Sequence, residues 1–151
     1  METEQPNPYF SDIEKEMRNI ESRLASGGKR FANSLIDVLF FYFLVFVVSL
    51  FLAFAGNLSE SDMDGIGFNL IFITFYLLYF TLFELFTGKT IGKFITKTHV
   101  VKEDGEKLDF KTAFIRSLCR IIPFDAFSFL GGKAVGWHDT FSKTRVINDE
   151  V

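Results

Sequence analysis

The chain has 151 residues, 48% of them hydrophobic and 17% aromatic with 21 Phe, more apolar surface than a water-soluble domain of this size usually carries. A formal charge of −3 leaves no basic excess for nucleic acid, so no nucleic-acid partner is expected. A lone Cys119 excludes an internal disulfide, and with two histidines it falls short of a structural zinc site, so neither metal nor cofactor is expected.

Residues 1–11 are polar, contain Pro6 and Pro8, and lack the basic start and short apolar core of a signal peptide. Ser11-Asp12-Ile13-Glu14 opens a short helix in which Ile13, Met17, Ile20 and Leu24 recur at helical spacing. The pattern predicts a tail over residues 1–28 with one surface helix, broken by Gly27-Gly28.

Leu35–Ala55 follows with Asp37 as its single charge, and Ile66–Phe86 has equal length with Glu84 near its end. At about 1.5 Å per residue each spans the roughly 30 Å of a bilayer core. A soluble core helix rarely stays apolar on all sides for so long. The connection Gly56–Gly65 is acidic, whereas Arg23, Lys29 and Arg30 precede the first segment and Lys89, Lys93, Lys97 and Lys102 follow the second. That asymmetry predicts a transmembrane hairpin with both termini cytoplasmic.

Beyond it, Ile95–Val101 has the β-branched alternation of a strand and Asp104-Gly105 supplies a turn, predicting a small cytoplasmic β-hairpin. Lys111–Pro123 sets Phe114, Ile115, Leu118, Ile121 and Ile122 on one face and Arg116 with Arg120 opposite, predicting an interfacial helix. Phe124–Leu130 is too short to cross a bilayer and carries Asp125, so 111–130 reads as an interfacial or re-entrant segment. Gly131-Gly132-Lys133 and Gly136 loosen the chain before Trp137-His138-Asp139, and Thr144–Ile147 predicts a last short strand before a tail, 148–151. No internal repeat is apparent. The fold class is an all-α membrane protein: a two-helix transmembrane hairpin, an amphipathic or re-entrant segment and a small β-hairpin.

Arg30 and Asp37 fall within about 20° on one helix face. Asp37 lies inside the apolar stretch and therefore needs a partner. Glu84 reaches a similar depth if the helices are antiparallel. Two carboxylates at one level share a proton or hold a cation, or else Arg30, Arg116 and Arg120 neutralise them and tie the helix ends together, the reading that weighs more. Gly88-Lys89-Thr90 lacks the earlier glycine of a phosphate loop, since Phe83 stands there. Gly88 and Gly92 lie beyond the apolar span, so their spacing points to a turn or a close backbone approach. His138-Asp139 comes with no recognisable nucleophile, and no enzyme is expected.

The ordered set Arg30-Phe31-Ala32-Asn33-Ser34-Leu35-Ile36-Asp37, Thr87-Gly88-Lys89-Thr90-Ile91-Gly92-Lys93, Val100-Val101, Asp104-Gly105, Arg116-Ser117-Leu118-Cys119-Arg120 and His138-Asp139 resembles the RDD family, over roughly Lys29 to Ile147. The family's arginine and two aspartates correspond to Arg30, Asp37 and Asp139. The resemblance implies a helical bacterial inner-membrane protein; some members are described as cation/proton antiporters and others as having transport-associated roles. Many relatives carry a longer third span than the interrupted 114–130 segment here. The expected site is a charge cluster at the cytoplasmic interface, Arg30, Asp37, Glu84 and Asp139, with Arg116, Arg120 and His138 in support. Two functions compete. One is an accessory or assembly subunit, its Phe-rich faces packed on another membrane protein or on a second copy, its basic part on anionic lipid. The other is an oligomeric cation/proton antiporter working through Asp37 and Glu84.

Overall fold

The structure, a computed structural model, describes residues 8–56, 65–122 and 135–149. Eight elements follow in order: α1 (Pro8–Ser22), α2 (Gly27–Phe54), α3 (Ile66–Thr87), α4 (Ile91–Thr96), β1 (Thr98–Lys102), α5 (Phe110–Cys119), α6 (Trp137–Ser142) and β2 (Thr144–Asn148). Most of the acidic connection and the Phe124–Leu130 dip lie outside the described residues, as does Pro123.

The first long helix begins earlier than its apolar run. Ser26 caps α2 by accepting from the Lys29 amide at 3.4 Å, so Gly27-Gly28 starts the helix instead of breaking the chain. Two extra turns therefore carry Arg30 and Asn33 on the stripe that continues through Asp37 to Phe41, and all four side chains are buried. Residues 23–25 belong to the folded unit and not to a tail: the Ala25 amide donates to Val146 O at 3.0 Å, and the Asn148 amide donates to Arg23 O at 2.8 Å.

Both long helices pass the length and hydropathy test for a membrane span, yet only 11% of each apolar window is buried. A soluble core helix would be mostly covered. What contact they share is aromatic: the Phe41 ring lies 5.2 Å from Phe72, 5.1 Å from Tyr76 and 5.9 Å from Tyr79. The outward Phe, Leu and Val side chains face the surroundings, and lipid is the solvent in which such faces carry no hydrophobic penalty.

The expected β-hairpin is corrected. Ile95 and Thr96 are the last residues of α4, Lys97 turns into the left-handed region at φ 56°, and β1 starts only at Thr98. Asp104-Gly105 does turn, with Gly105 at φ 84°. However, β1 pairs antiparallel with the distant β2, matching Val100 with Val146, and not with the segment after the turn. Val100 and Val146 share the buried face and pack with Ala25, Leu108 and Ala113 in one small core. A two-stranded ribbon is unstable alone, so the apolar neighbours and not the turn decide the pairing.

The structure also contains an internal repeat. Each strand follows a six-residue helix and a left-handed lysine, Lys97 at φ 56° and Lys143 at φ 52°. The pairing obeys a two-fold axis through Val100–Val146: Thr98↔Asn148 maps onto Lys102↔Thr144, and His99↔Ile147 onto Val101↔Arg145. Side chains follow it too, since Thr96 and Thr98 hydroxyls meet at 3.1 Å and Ser142 and Thr144 hydroxyls at 2.8 Å. Sequence identity between the two units is too slight to reveal what backbone geometry repeats.

Candidate functional site at the polar end of the long helices

Helix α5 lies along the C-terminal part of α3, with Asp109 as N-cap and small residues at the contact; Thr81 donates to Ser117 Oγ at 2.9 Å. The two faces of this segment divide as the pattern predicts, with the arginine face turned into the protein. Arg116 is fully buried, while Phe114, Leu118, Ile121 and Ile122 are the exposed ones. In water that orientation is backwards; beside lipid it is favourable, because the polar face finds partners inside. The Arg120 guanidinium stands 4.8 Å from the Phe80 ring, seven residues or about 10 Å along α3 from Thr87.

Arg116 is the centre of the charge cluster. Its Nε donates to Glu84 Oε2 at 2.7 Å and its Nη1 to Asp139 Oδ1 at 2.6 Å, with Thr144 Oγ1 also in contact. Glu84 accepts in addition from Lys93 Nζ at 2.9 Å and Arg120 Nη2 at 2.8 Å. Asp139 pairs with Arg30, accepts from the Gly136 amide at 3.3 Å, and lies 3.4 Å from His138 Nε2. Cations and carboxylates thus alternate from Lys93 through Glu84, Arg116 and Asp139 to Arg30.

Asp37 is not paired with an arginine. It is fully buried and accepts from Thr90 Oγ1 at 2.5 Å and from the Gly92 amide at 2.7 Å, holding the start of α4 against α2. The hydroxyl and backbone donors satisfy the carboxylate that the sequence left in search of a cation. Gly92 allows the approach, since a Cβ there would lie 2.9 Å from Asn33 Cα. Gly88 is the left-handed cap of α3, its amide donating to Glu84 O at 2.9 Å. Asp37 and Glu84 are therefore linked through Thr90 and Lys93, Thr90 Oγ1 lying 3.4 Å from Lys93 Nζ.

Lys93 was legible in the sequence only as one of several flanking positive charges. Its burial at the network's edge could have been suspected from the glycine one residue before it, because a helix pressed that closely on its neighbour buries the next side chain. Burial lowers the Lys93 ammonium from 10.5 to about 8, against the pull of Glu84 and with help from Arg120. For a lysine whose folded pKa is depressed, the unfolded chain holds more protons between the two values, so stability rises with pH there. Wild type should accordingly gain about 1–3 kcal/mol relative to Lys93→Met between pH 8 and pH 10.5, read from thermal unfolding in detergent.

At the surface of the same end, burial works against the Asp149 charge, but hydrogen bonds from Lys89 at 2.6 Å and His99 at 2.7 Å hold its carboxyl below the usual range. Among the described residues no group of three or more His, Cys, Asp or Glu is placed to hold a metal ion.

Shared occupancy of Asp139 by Arg30 and Arg116 has a consequence for charge reversal. Arg30→Asp with Asp139→Arg should fail to restore either single variant, because the new guanidinium would face Arg116. Unfolding temperatures of the two singles and the double test this.

Two long helices with uncovered apolar faces, joined at one end by a buried ladder of ion pairs, define a membrane protein with a polar module at one surface. The chain belongs to the RDD family, whose model matches residues 24–145. No curated protein and no solved structure matches it.

Proposed function

We propose that the chain is an accessory or assembly subunit of a complex in a bacterial cytoplasmic membrane, with the polar module on the cytoplasmic side. The observation that carries this reading is the combination of α2 and α3 left 89% uncovered along their apolar windows with a polar end whose acids are already satisfied. Exposed aromatic faces offer packing surface to another membrane protein, and the ladder of charges gives them a rigid base. Flanking Lys and Arg support the cytoplasmic placement. Gentle detergent extraction followed by mass spectrometry tests the reading. A stoichiometric membrane partner is the expected result, and recovery as a lone monomer overturns it.

A second reading has one observation in its favour. A cavity of about 470 Å³, lined by Lys89, His99, Lys107 and Asp149 at its polar side, also reaches Glu84. Such a cavity, with titratable groups at its polar side and Glu84 at its inner end, suits proton exchange, as in an oligomeric cation/proton antiporter. Against it, Glu84 is held by three cations and Asp37 by fixed donors, and neither is left to bind a mobile ion. Proteoliposomes that show cation-coupled proton movement would reverse the preference.

A further inference from the structure

The two repeated units present the same side chains outward. Ile95 and Phe141, at equivalent positions in α4 and α6, are 63% and 67% exposed, and each precedes by two residues an exposed lysine, Lys97 or Lys143. The lysine carbonyls are anchored identically, Lys97 O accepting from the Asp149 amide at 2.9 Å and Lys143 O from the Glu103 amide at 3.1 Å. Both adjacent acids are taken by the neighbouring strand: Asp149 by His99 at 2.7 Å and Glu103 by Arg145 at 2.7 Å. Among the described residues, the Lys97 and Lys143 ammonium groups form no ion pair.

Their backbone conformation is the second observation. A left-handed residue ending a helix is ordinarily glycine, because a Cβ is costly there, yet both units carry lysine. A side chain kept at a strained position in both units has a use that the cap itself does not supply.

Depth identifies the use. Thr96, next to Lys97, contacts Asn33, which lies two residues or about 3 Å outside the apolar run of α2 that begins at Leu35. Asp139, one turn before Lys143, pairs with Arg30, about 8 Å outside the same run. The headgroup layer is about 5–8 Å thick on each side of a bilayer, so both units lie within it or at its outer edge. An apolar side chain beside an unpaired lysine at that level is the composition of an interfacial anchor. We infer that the two units form a symmetry-related pair of binding sites for anionic lipid headgroups, Lys97 and Lys143 meeting the phosphates, Ile95 reaching the acyl boundary and Phe141 lying among the headgroups. The inference requires the membrane setting but not the accessory role.

Trp137, the single tryptophan, is half-exposed at the start of α6 and reports on the second site. The protein is reconstituted in phosphatidylcholine nanodiscs, and its fluorescence is quenched with phosphatidylglycerol or phosphatidylcholine spin-labelled near the glycerol. At equal mole fraction the anionic lipid should quench roughly two- to fivefold more effectively. K143G should abolish that preference while unfolding at the same or a higher temperature, since glycine relieves the left-handed position; a role confined to capping would leave the preference intact. W137F with I95W moves the probe to the exposed first unit, where K97G should have the same effect. Equal quenching by both lipids in the wild type, a preference that survives K143G, or quenching by aqueous iodide with none by either lipid would each overturn the inference. Protection of Trp137 from all three quenchers would also overturn it, by placing a protein on this face.

Discussion

Arg116→Met is expected to be the most damaging single substitution in the polar module, costing about 3–5 kcal/mol, because it removes one buried partner from two carboxylates at once. Arg116 is fully buried between Glu84 at 2.7 Å and Asp139 at 2.6 Å. Glu84 would retain Lys93 and Arg120, but Asp139 would keep only Arg30, the long bond from the Gly136 amide and the approach of His138 among the described residues. For a chain of this length the loss corresponds to a fall of roughly 10 °C in Tm in detergent. Arg116→Lys should recover only part of it, since a point charge cannot span both acids as the planar fork does. Adding Glu84→Gln and Asp139→Asn to Arg116→Met should lower stability further, because Lys93, Arg120 and Arg30 would then be buried without their carboxylates. A triple variant more stable than Arg116→Met would show that Lys93, Arg120 and Arg30 do not depend on the two acids.

Gly92→Ala should cost about 2–4 kcal/mol, although it adds a single methyl group and alanine favours helix. The new Cβ would sit 2.9 Å from Asn33 Cα and 3.0 Å from its carbonyl carbon, and backbone cannot yield as a flexible side chain does. Moving α4 away from α2 would break the bond from the Gly92 amide to Asp37 and leave that carboxylate buried with one donor fewer. Gly28→Ala is the matched control in the first turn of α2: nothing lies within 4 Å of its Cβ, and the change should be neutral or stabilising by about 0.5–1 kcal/mol. Comparing the two melting temperatures separates the steric effect from helix propensity.

These two positions show how unevenly the site could be read in advance. The value of Gly92 was visible as a spacing with Gly88 that suggested a close approach, but its neighbour could not be named. The pattern of 111–123 separates Arg116 and Arg120 from the apolar face and offers them as counter-charges, but it does not show that Arg116 would be fully buried. Beside lipid the apolar side turns out and the charges turn in. The apolar setting of Asp37 calls for a partner, and Arg30, Arg116 and Arg120 are the counter-charges that the sequence offers. A side chain on one helix cannot foresee that a helix start from another part of the chain, Thr90 with the Gly92 amide, will reach it first. Lys97 and Lys143 are not legible as a pair in the sequence because the units share few residues, whereas φ and strand register are properties of the backbone.

By itself the sequence determined the two long apolar helices, the polar character of their joined ends and the likeness to the RDD family, since each depends on local composition and ordered motifs. Tertiary structure decided which charges meet, which strand β1 pairs with and which way α5 faces. Those outcomes depend on contacts between residues far apart in the chain, and at a membrane edge they are set by where each buried charge finds an opposite one, a quantity that no single segment contains.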